Sequence, residues 1–551
     1  MPVINFNVND LVGLIGTDAP VEKILERIPM IGASLDRYDE GTGEASIEFF
    51  PNRPDLYSVE GVARAMRAFL GIEPGMRRYE IESSGISMTI EKTVADVRPY
   101  AVAAVVKGVK MSDPLIRSLM ELQEKLHLTV GRKRSKVAIG VHDLDKVRPP
   151  FVYKGADPDS VSFIPLAKDE KMTMREVLEK HEKGVDYRHL VDGKPLFPVI
   201  LDRNGDVLSF PPIINGALTT VTEQTKNIFI DVTGTDLPTI SGVLNIVATS
   251  IAERGGRIQT VRCPGGGILT TPAMKPKVWD LDVNFANSWL GLSLTPEEIA
   301  KDLALMGYEC KLTKKKLRVQ VPPWRMDIIH QADLVEDLAI GHGYENFGHT
   351  SPRFQTIGAE RTTERAADLV RQLMIGYGFW EVTTLTLTSK DDLFKKMRVP
   401  ERHVVEVMNP VSEDHTCLRD KLLPSMLMVL RKSKHRDLPQ RIFEVGDVVI
   451  DAKRRRHIAA LAVHSKASFT EIKSVVEGLM RDMSCRIDLI PSQEEMWLPG
   501  RGAQVVFEGK DVGSFGELHP EVIVNFDLGY PVVGFELDLD ELVKGKAEKL
   551  L

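Results

Sequence analysis

Apolar positions along this chain switch repeatedly between a two-residue and a helical period, so strands and helices alternate. In residues 1–85, EASIEFF alternates as a strand and PNRPD reads as a turn. LYSVEGVARAMRAFLGI follows as a helix: Ser58 is placed to cap it, Val62, Met66, Phe69 and Leu70 form its apolar stripe, and Gly71 ends it. In residues 86–268, YAVAAVVKGV, KVAIGVHDLD, DVLSFPP and NIFIDVTGTD predict strands, and DPLIRSLMELQEKLHLTV and TISGVLNIVATSIAERGG predict helices. RCPGGGILTTPAMKP, rich in glycine and proline, marks a boundary. Residues 269–350 join a helix with the capping-box spacing Thr295–Glu298 to a basic turn, a strand and a second helix, a small winged-helix-like plan. Residues 351–551 read as a helix, long strands (RIFEVGDVVID, HIAALAVHS), the helix SFTEIKSVVEGLMRDM, a hairpin closed through EGKD and a last strand, GYPVVGFELDLDEL. The predicted class is multidomain, α/β and α+β.

Composition narrows this only a little. A chain of 551 residues is too long for one core, and the usual domain size of about 100–200 residues gives roughly three to five domains. Hydrophobic content of 43% and charged content of 27% suit a soluble globular protein. No apolar run approaches the ~18–20 residues that span a bilayer, and the N-terminus lacks the layout of a signal peptide. A cytoplasmic protein without a membrane partner is expected. Cys263, Cys310, Cys417 and Cys485 lie far apart, which predicts reduced thiols rather than a zinc ribbon or disulfide framework. With a net charge of −7, nucleic-acid contact must rest on local patches: GRKRSK, KLTKKKLR, RKSKHR and KRRRH. Singly, each reads as a solvated turn.

Familiar catalytic signatures are missing: the chain has no GxxxxGK[ST], HExxH or GxSxG. PGGGI (264–268) reads as a turn rather than a phosphate cradle. In GVHD, His142 and Asp143 are neighbours on a strand and point to opposite faces, so they cannot pair with each other and read as structural. VPPWRMDIIHQADLVEDLAIGHGYENF (321–347) carries Asp327, Asp333, Glu336 and Asp337. The last three share a helix face and repel by about 0.2–0.5 kcal/mol per pair. Spacing leaves two explanations open. One is a solvated acidic face, with Asp333 favoured by the helix dipole. The other is a Mg²⁺ site, which takes hard oxygen ligands and keeps several waters.

Seven stretches fall in an order that resembles one family. They are FFPNRPDLYSVEGVARAMRAFLGI, VAIGVHDLDKVRPPFVY, FPPIING, the acidic stretch above, FEVGDVV, SFTEIKSVVEGLM and GSFGELHPEVIVNFDLGYPVVGFELDLDEL. Together they resemble the β subunit of phenylalanine–tRNA ligase in its archaeal and eukaryotic form. The resemblance implies an (αβ)₂ heterotetramer whose α subunit uses ATP to activate phenylalanine and charges tRNA(Phe). It implies that residues 86–268 are an editing domain hydrolysing tRNA mischarged with tyrosine. A second site of this kind is useful because a hydrophobic pocket rejects an added hydroxyl by only about 10²-fold. Matched by motif, the editing residues would be Ser209, Asn215, Asp231 and Thr233. Asp231 or Thr233 would orient a water, and Asn215 would bind the phenol or the terminal adenosine. The family's Mg²⁺, shared with α, would lie on Asp327, Asp333, Glu336 and Asp337. Residues 351–551 would be a degenerate, non-catalytic class II synthetase module making the subunit interface. In agreement, the stretch from PGRGAQ (499–504) to the end, residue 551, contains no GxGxGxxxR arginine motif. The alternative is a scaffold or RNA-binding subunit without editing chemistry.

Overall fold

The computed structural model describes residues 2–313, 316–352, 354 and 356–544. Lys314 and Lys315 of the basic turn, and the C-terminal GKAEKLL, lie outside the described residues. The chain folds as two compact units, Met1–Thr350 and Ser351–Leu551.

The first unit opens with a three-stranded antiparallel sheet in which Glu44–Phe49 lies between Val3–Asn7 and Ala33–Asp39. The helix Val59–Phe69 packs beneath it. Ser58 accepts a hydrogen bond from the Gly61 N–H at 3.1 Å, Val62, Met66 and Phe69 are buried, and the left-handed Gly71 (φ 72°) ends the turn.

The centre of this unit is a ten-stranded mixed sheet. From one end it runs Ile214–Asn215, Val207–Phe210, Phe197–Leu201, Phe151–Ala156, Ile81–Ile90, Arg257–Arg262, Tyr100–Lys107, Asn227–Gly234 and Val137–Asp143, with Thr270–Thr271 beside Arg257–Arg262. Alternation sorts its two faces. Val102, Ala104, Val106, Ile228, Ile230 and Val232 pack with the helices Asp113–Leu128 and Leu237–Ala252. Ala101, Ala103, Val105 and Phe229 face the other way. The sheet extends from Ile81 to Thr271, so the boundaries expected at 85/86 and 268/269 fall inside it: strand pairing overrides the glycine- and proline-rich punctuation. PGGGI is a turn laid against this sheet, since a Cβ on Gly265 would meet the Ile90 carbonyl at 2.2 Å.

A smaller module completes the unit. The strand Leu317–Val321 lies between Lys277–Leu281 and Glu309–Leu312. The helices Val283–Leu290, Pro296–Leu305 and Gln331–His342 enclose a shared core of Leu281, Leu303, Tyr308, Val319 and Leu334. The capping box is formed as its spacing predicts: Thr295 Oγ1 accepts from the Glu298 N–H at 3.2 Å, and Glu298 accepts from the Thr295 N–H at 2.8 Å.

The second unit is a seven-stranded, largely antiparallel sheet covered on both faces. Along Gln440–Ile450, Phe443 and Val445 join the core under the helices Thr362–Gly376 and Phe469–Asp482. Ile442 and Val448 join the core under Leu423–Lys432 on the opposite face. The hairpin Trp497–Phe507/Lys510–Leu518 turns through Glu508 and Gly509, both at positive φ, the geometry of a two-residue hairpin loop. All four cysteines are free thiols. No described helix is long and apolar enough to cross a membrane.

Replacing Thr295 by Ala removes one half of the capping box. We expect a loss of about 1 kcal/mol, read as a lower midpoint in denaturant unfolding of the full chain.

Candidate functional site

Asp231 and Thr233 stand two residues apart on one face of the strand Asn227–Gly234. Their cross-strand neighbours are all small: Ala103 and Gly140 flank Asp231, and Ala101 and Ala138 flank Thr233. These truncated positions open a cavity above the sheet. Ser209 and Asn215, themselves cross-strand partners, lie on the strands at the far end of the same sheet. The sheet curls so that both ends line one cavity of about 370 Å³, within the usual range of small-ligand sites, about 300–1,000 Å³. Apolar side chains such as Ile116, Met120, Val141 and Ile213 form most of the remaining wall.

Each polar group in this cavity is held differently. Asp231 is buried, and its Oδ2 lies 2.7 Å from His142 Nε2. His142 Nδ1 in turn lies 2.8 Å from Thr219 Oγ1. Thr219 Oγ1 also lies 3.3 Å from the Gly216 carbonyl, so its single proton serves either that carbonyl or the imidazole, while His142 Nε2 is placed to donate to the carboxylate. Thr233 Oγ1 accepts from Arg98 Nε at 2.8 Å, and its carbonyl accepts from Arg98 Nη2 at 2.7 Å. The Thr233 hydroxyl proton is therefore free to donate elsewhere. Arg98 is buried, which draws its guanidinium down to about 10, still a cation at neutral pH. Ser209 Oγ is buried and has no hydrogen-bond partner among the described residues.

At the rim, Arg134 ties the two ends of the sheet together: it donates to the Ile213 carbonyl at 2.7 Å and to Glu124 at 2.8 Å, and stacks on Tyr187. The neighbouring His127 imidazole, with Arg134, holds the Glu124 carboxyl down at about 2 against the upward push of partial burial. Burial lowers His127, which as a neutral ring accepts the Ile139 N–H at 2.9 Å.

The structure thus brings all four expected residues to one cavity and corrects two readings. His142 is not an isolated strand residue. It is unpaired with Asp143, as expected, but Ala138, Gly140 and His142 share the cavity face, and the ring reaches across the strands to Asp231. Asp143 is structural, accepting from the Thr225 hydroxyl at 2.8 Å. GRKRSK is not a solvated turn throughout, because Arg134 is buried against the sheet end. The alternation of small residues in YAVAA and VAIG was the signal that could have exposed the cavity.

Three family profiles match the chain. The phenylalanyl-tRNA synthetase β-chain CLM domain covers residues 349–539, the tRNA synthetase B5 domain 279–344 and the B3/4 domain 98–252. The phenylalanine–tRNA ligase β subunits of Methanothrix thermoacetophila and Methanosarcina acetivorans are 46% and 48% identical to it. They cover 98% and 99% of this chain and 100% of their own lengths. The chain belongs to the phenylalanine–tRNA ligase β-subunit family. An N-terminal fragment of the Pyrococcus horikoshii phenylalanyl-tRNA synthetase β subunit superposes with a TM-score of 0.60 at 39% identity, over 62% of this chain and 100% of that one. As a β subunit of an aminoacyl-tRNA ligase, the chain implies an α partner. The cavity residues named above from Arg98 to Asp231 and Thr233 fall inside the B3/4 match.

The acidic stretch of this ligase subunit is organised around a cation of its own. Arg325 is buried and donates to Asp327 through Nε at 2.9 Å and Nη2 at 2.6 Å, and to Asp337 at 2.5 Å. The Tyr308 hydroxyl also donates to Asp337. Burial opposes the Arg325 charge, yet Asp337, Tyr308 and Asp327 hold its pKa well above the ordinary value. Asp333 accepts the Ile329 and His330 N–H groups at 2.8 Å each, capping the helix. Only Glu336 is exposed, and it makes no hydrogen bond or ion pair among the described residues. Partial burial and then Asp337, Asp333 and Asp327 raise its pKa. Asp327, Asp333 and Asp337 are thus already engaged by Arg325, Tyr308 and backbone amides, so the four carboxylates do not by themselves form a Mg²⁺ site among the described residues. Among the described residues no group of three or more His, Cys, Asp or Glu is arranged to hold a metal.

Two substitutions probe these arrangements. A Cβ on Gly140 would lie 2.1 Å from Asp231 Oδ2 and 2.5 Å from His142 Nε2. Gly140→Ala should therefore push the pair apart and lower stability by about 1–3 kcal/mol in denaturant unfolding. Arg325→Met strands Asp327 and Asp337, and the same measurement should show a larger loss, about 3–5 kcal/mol.

Proposed function

We propose that this chain, as the β subunit of a cytoplasmic (αβ)₂ phenylalanine–tRNA ligase, hydrolyses tRNA(Phe) mischarged with tyrosine in the Asp231–Thr233 cavity. In this reading the α subunit binds ATP and performs the charging. The observation that carries it is the convergence of Ser209, Asn215, Asp231 and Thr233 on one largely apolar cavity, with the Ser209 hydroxyl unpartnered. A buried hydroxyl without a partner is costly, about 1–3 kcal/mol, until a ligand supplies one. The tyrosine phenol would do so and a phenylalanine ring would not. A site built in that way favours the substrate bearing the hydroxyl.

On the opposite wall, Asp231, oriented by His142, and the outward-donating Thr233 hydroxyl hold a water against the ester carbonyl. Attack forms the new C–O bond, the bond from the acyl carbon to the ribose oxygen breaks, and the proton passes from water to that oxygen, with Asp231 as its relay. Asn215, whose side-chain amide has no hydrogen bond to a described residue, binds the terminal adenosine. Mg²⁺ at Asp327, Asp333, Glu336 and Asp337 enters this reading only with ligands from α. The seven-stranded unit takes no part in adenylate formation: Arg419, its buried arginine beside the FEVGDVV strand, is tied to Glu444 at 2.7 Å and to the Asp447 carbonyl at 2.9 Å.

The test is deacylation of Tyr-tRNA(Phe) by the αβ complex. Asp231→Ala and Thr233→Ala should slow it by about 10²-fold or more while phenylalanine charging continues. Ser209→Ala should reduce the preference for Tyr-tRNA over Phe-tRNA. Deacylation unchanged in all three variants would leave the scaffold reading.

A further inference from the structure

A second cavity, of about 30 Å³, lies in the first unit, walled by Val59–Phe69, its following loop and the residues before the acidic helix. Its wall is an arginine cluster: Arg53, Arg64, Arg67, Arg77 and Arg325 line it with the carboxylates Asp55 and Glu73, while Glu253, Asp327 and Asp337 pair with Arg67 and Arg325. Four of these side chains bury a guanidinium nitrogen with no hydrogen-bond partner among the described residues: Arg64 Nη2, Arg67 Nε, Arg77 Nε and Arg325 Nη1.

The arginines differ in how their charge is met. Arg53 is bidentate to Asp55, at 2.8 Å for both bonds. Arg67 pairs with Glu253, and Arg77 with Glu73 at 2.6 Å. Arg325 has Asp327 and Asp337. Arg64 has no carboxylate ion pair among the described residues. It donates to Thr249 Oγ1 at 2.8 Å and to Tyr79 at 3.3 Å, and lies over the Trp324 ring at 4.4 Å. Burial pushes its pKa down, but Tyr79, Glu253 and Asp55 together raise it, neither carboxylate being within ion-pair distance; its Nη2 N–H and the three other buried N–H groups still lack an acceptor among the described residues, which is costly until a ligand supplies one. Two bare backbone positions, Gly75 and Gly307, both at positive φ, form part of the wall, and the half-exposed Arg77 leaves a way in.

We propose that this cavity binds one small oxyanion of the phosphate class. Convergent guanidinium N–H groups are the chemistry that recognises such an anion. The enclosed space admits a single compact group and excludes a whole nucleotide. Two sources share the chemistry: free inorganic phosphate, and a phosphate of a nucleic-acid backbone reaching in past Arg77. Occupancy would tie Val59–Phe69 to the segment that carries Arg325, through charge rather than apolar contact.

Equilibrium dialysis of the full chain against labelled inorganic phosphate at fixed ionic strength tests this. One phosphate per chain is expected, with affinity reduced at least tenfold in Arg77→Gln and in Arg64→Lys, which keeps a charge but loses the forked donor. Because Arg64 is buried, the half-exposed Arg77 provides a variant that retains the fold. Displacement of the bound phosphate by saturating tRNA identifies a backbone phosphate as the source. Retention of both identifies a free anion. No binding, or the same binding in both variants, overturns the proposal.

Discussion

The structure turns on one constraint: a carboxylate, Asp231, stands buried on the penultimate strand of a ten-stranded sheet, where an unsupported charge is untenable. Its support comes from three sides. The flanking strands withhold side chains at Ala103 and Gly140, making room. His142 supplies a donor, and Thr219 fixes the ring that carries it. The space that the small residues vacate is the cavity itself. Accommodation of one charge and creation of a substrate-sized pocket are thus the same structural event, and the curled far end of the sheet closes the pocket with Ser209 and Asn215.

Much of this was legible in the chain before any coordinates. The period-two stretches became strands, the capping residues Ser58 and Thr295 capped the helices they precede, and the EGKD hairpin turned where its residues allow. These features are local, decided within a few residues of sequence. The four cavity residues came from family resemblance, because their convergence depends on the curl of the sheet, which joins strands at opposite ends of its order. His142 was half-read. Alternation correctly separated it from Asp143, and the same alternation, carried to Gly140 and across to Asp231, would have placed it on the cavity face. Two expected domain boundaries fall inside the sheet for a related reason: Ile81–Ile90 spans 85/86, and Thr270–Thr271 pairs back after a loop that looks like a linker, whereas the expected boundary at 350/351 coincides with the division between the two units.

The acidic helix shows how spacing misleads when a countercharge lies outside the helix. Asp333, Glu336 and Asp337 look like repelling neighbours on one face. In three dimensions Asp333, half-buried, serves backbone amides, Asp337 is drawn into the core by Arg325 and Tyr308, and Glu336 is exposed. The same arginine-to-aspartate clasp, two residues apart, occurs in NRPD and in WRMD, at Arg53–Asp55 and Arg325–Asp327. Both arginines border the small cavity of the first unit. Two motifs far apart in sequence therefore solve one local problem of buried charge in the same way.

The placement of the cavity walls bears on how such a site changes over evolutionary time. Asp231 and Thr233 belong to an interior strand whose opposite face, through Ile230 and Val232, is packed against helices. Drift there disturbs two layers at once. Ser209 and Asn215 sit at the sheet margin, on strands four and two residues long. Variation is cheapest at the margin, so the cavity can acquire a new preference for what it holds while the groups that would act on the ester stay where the core keeps them.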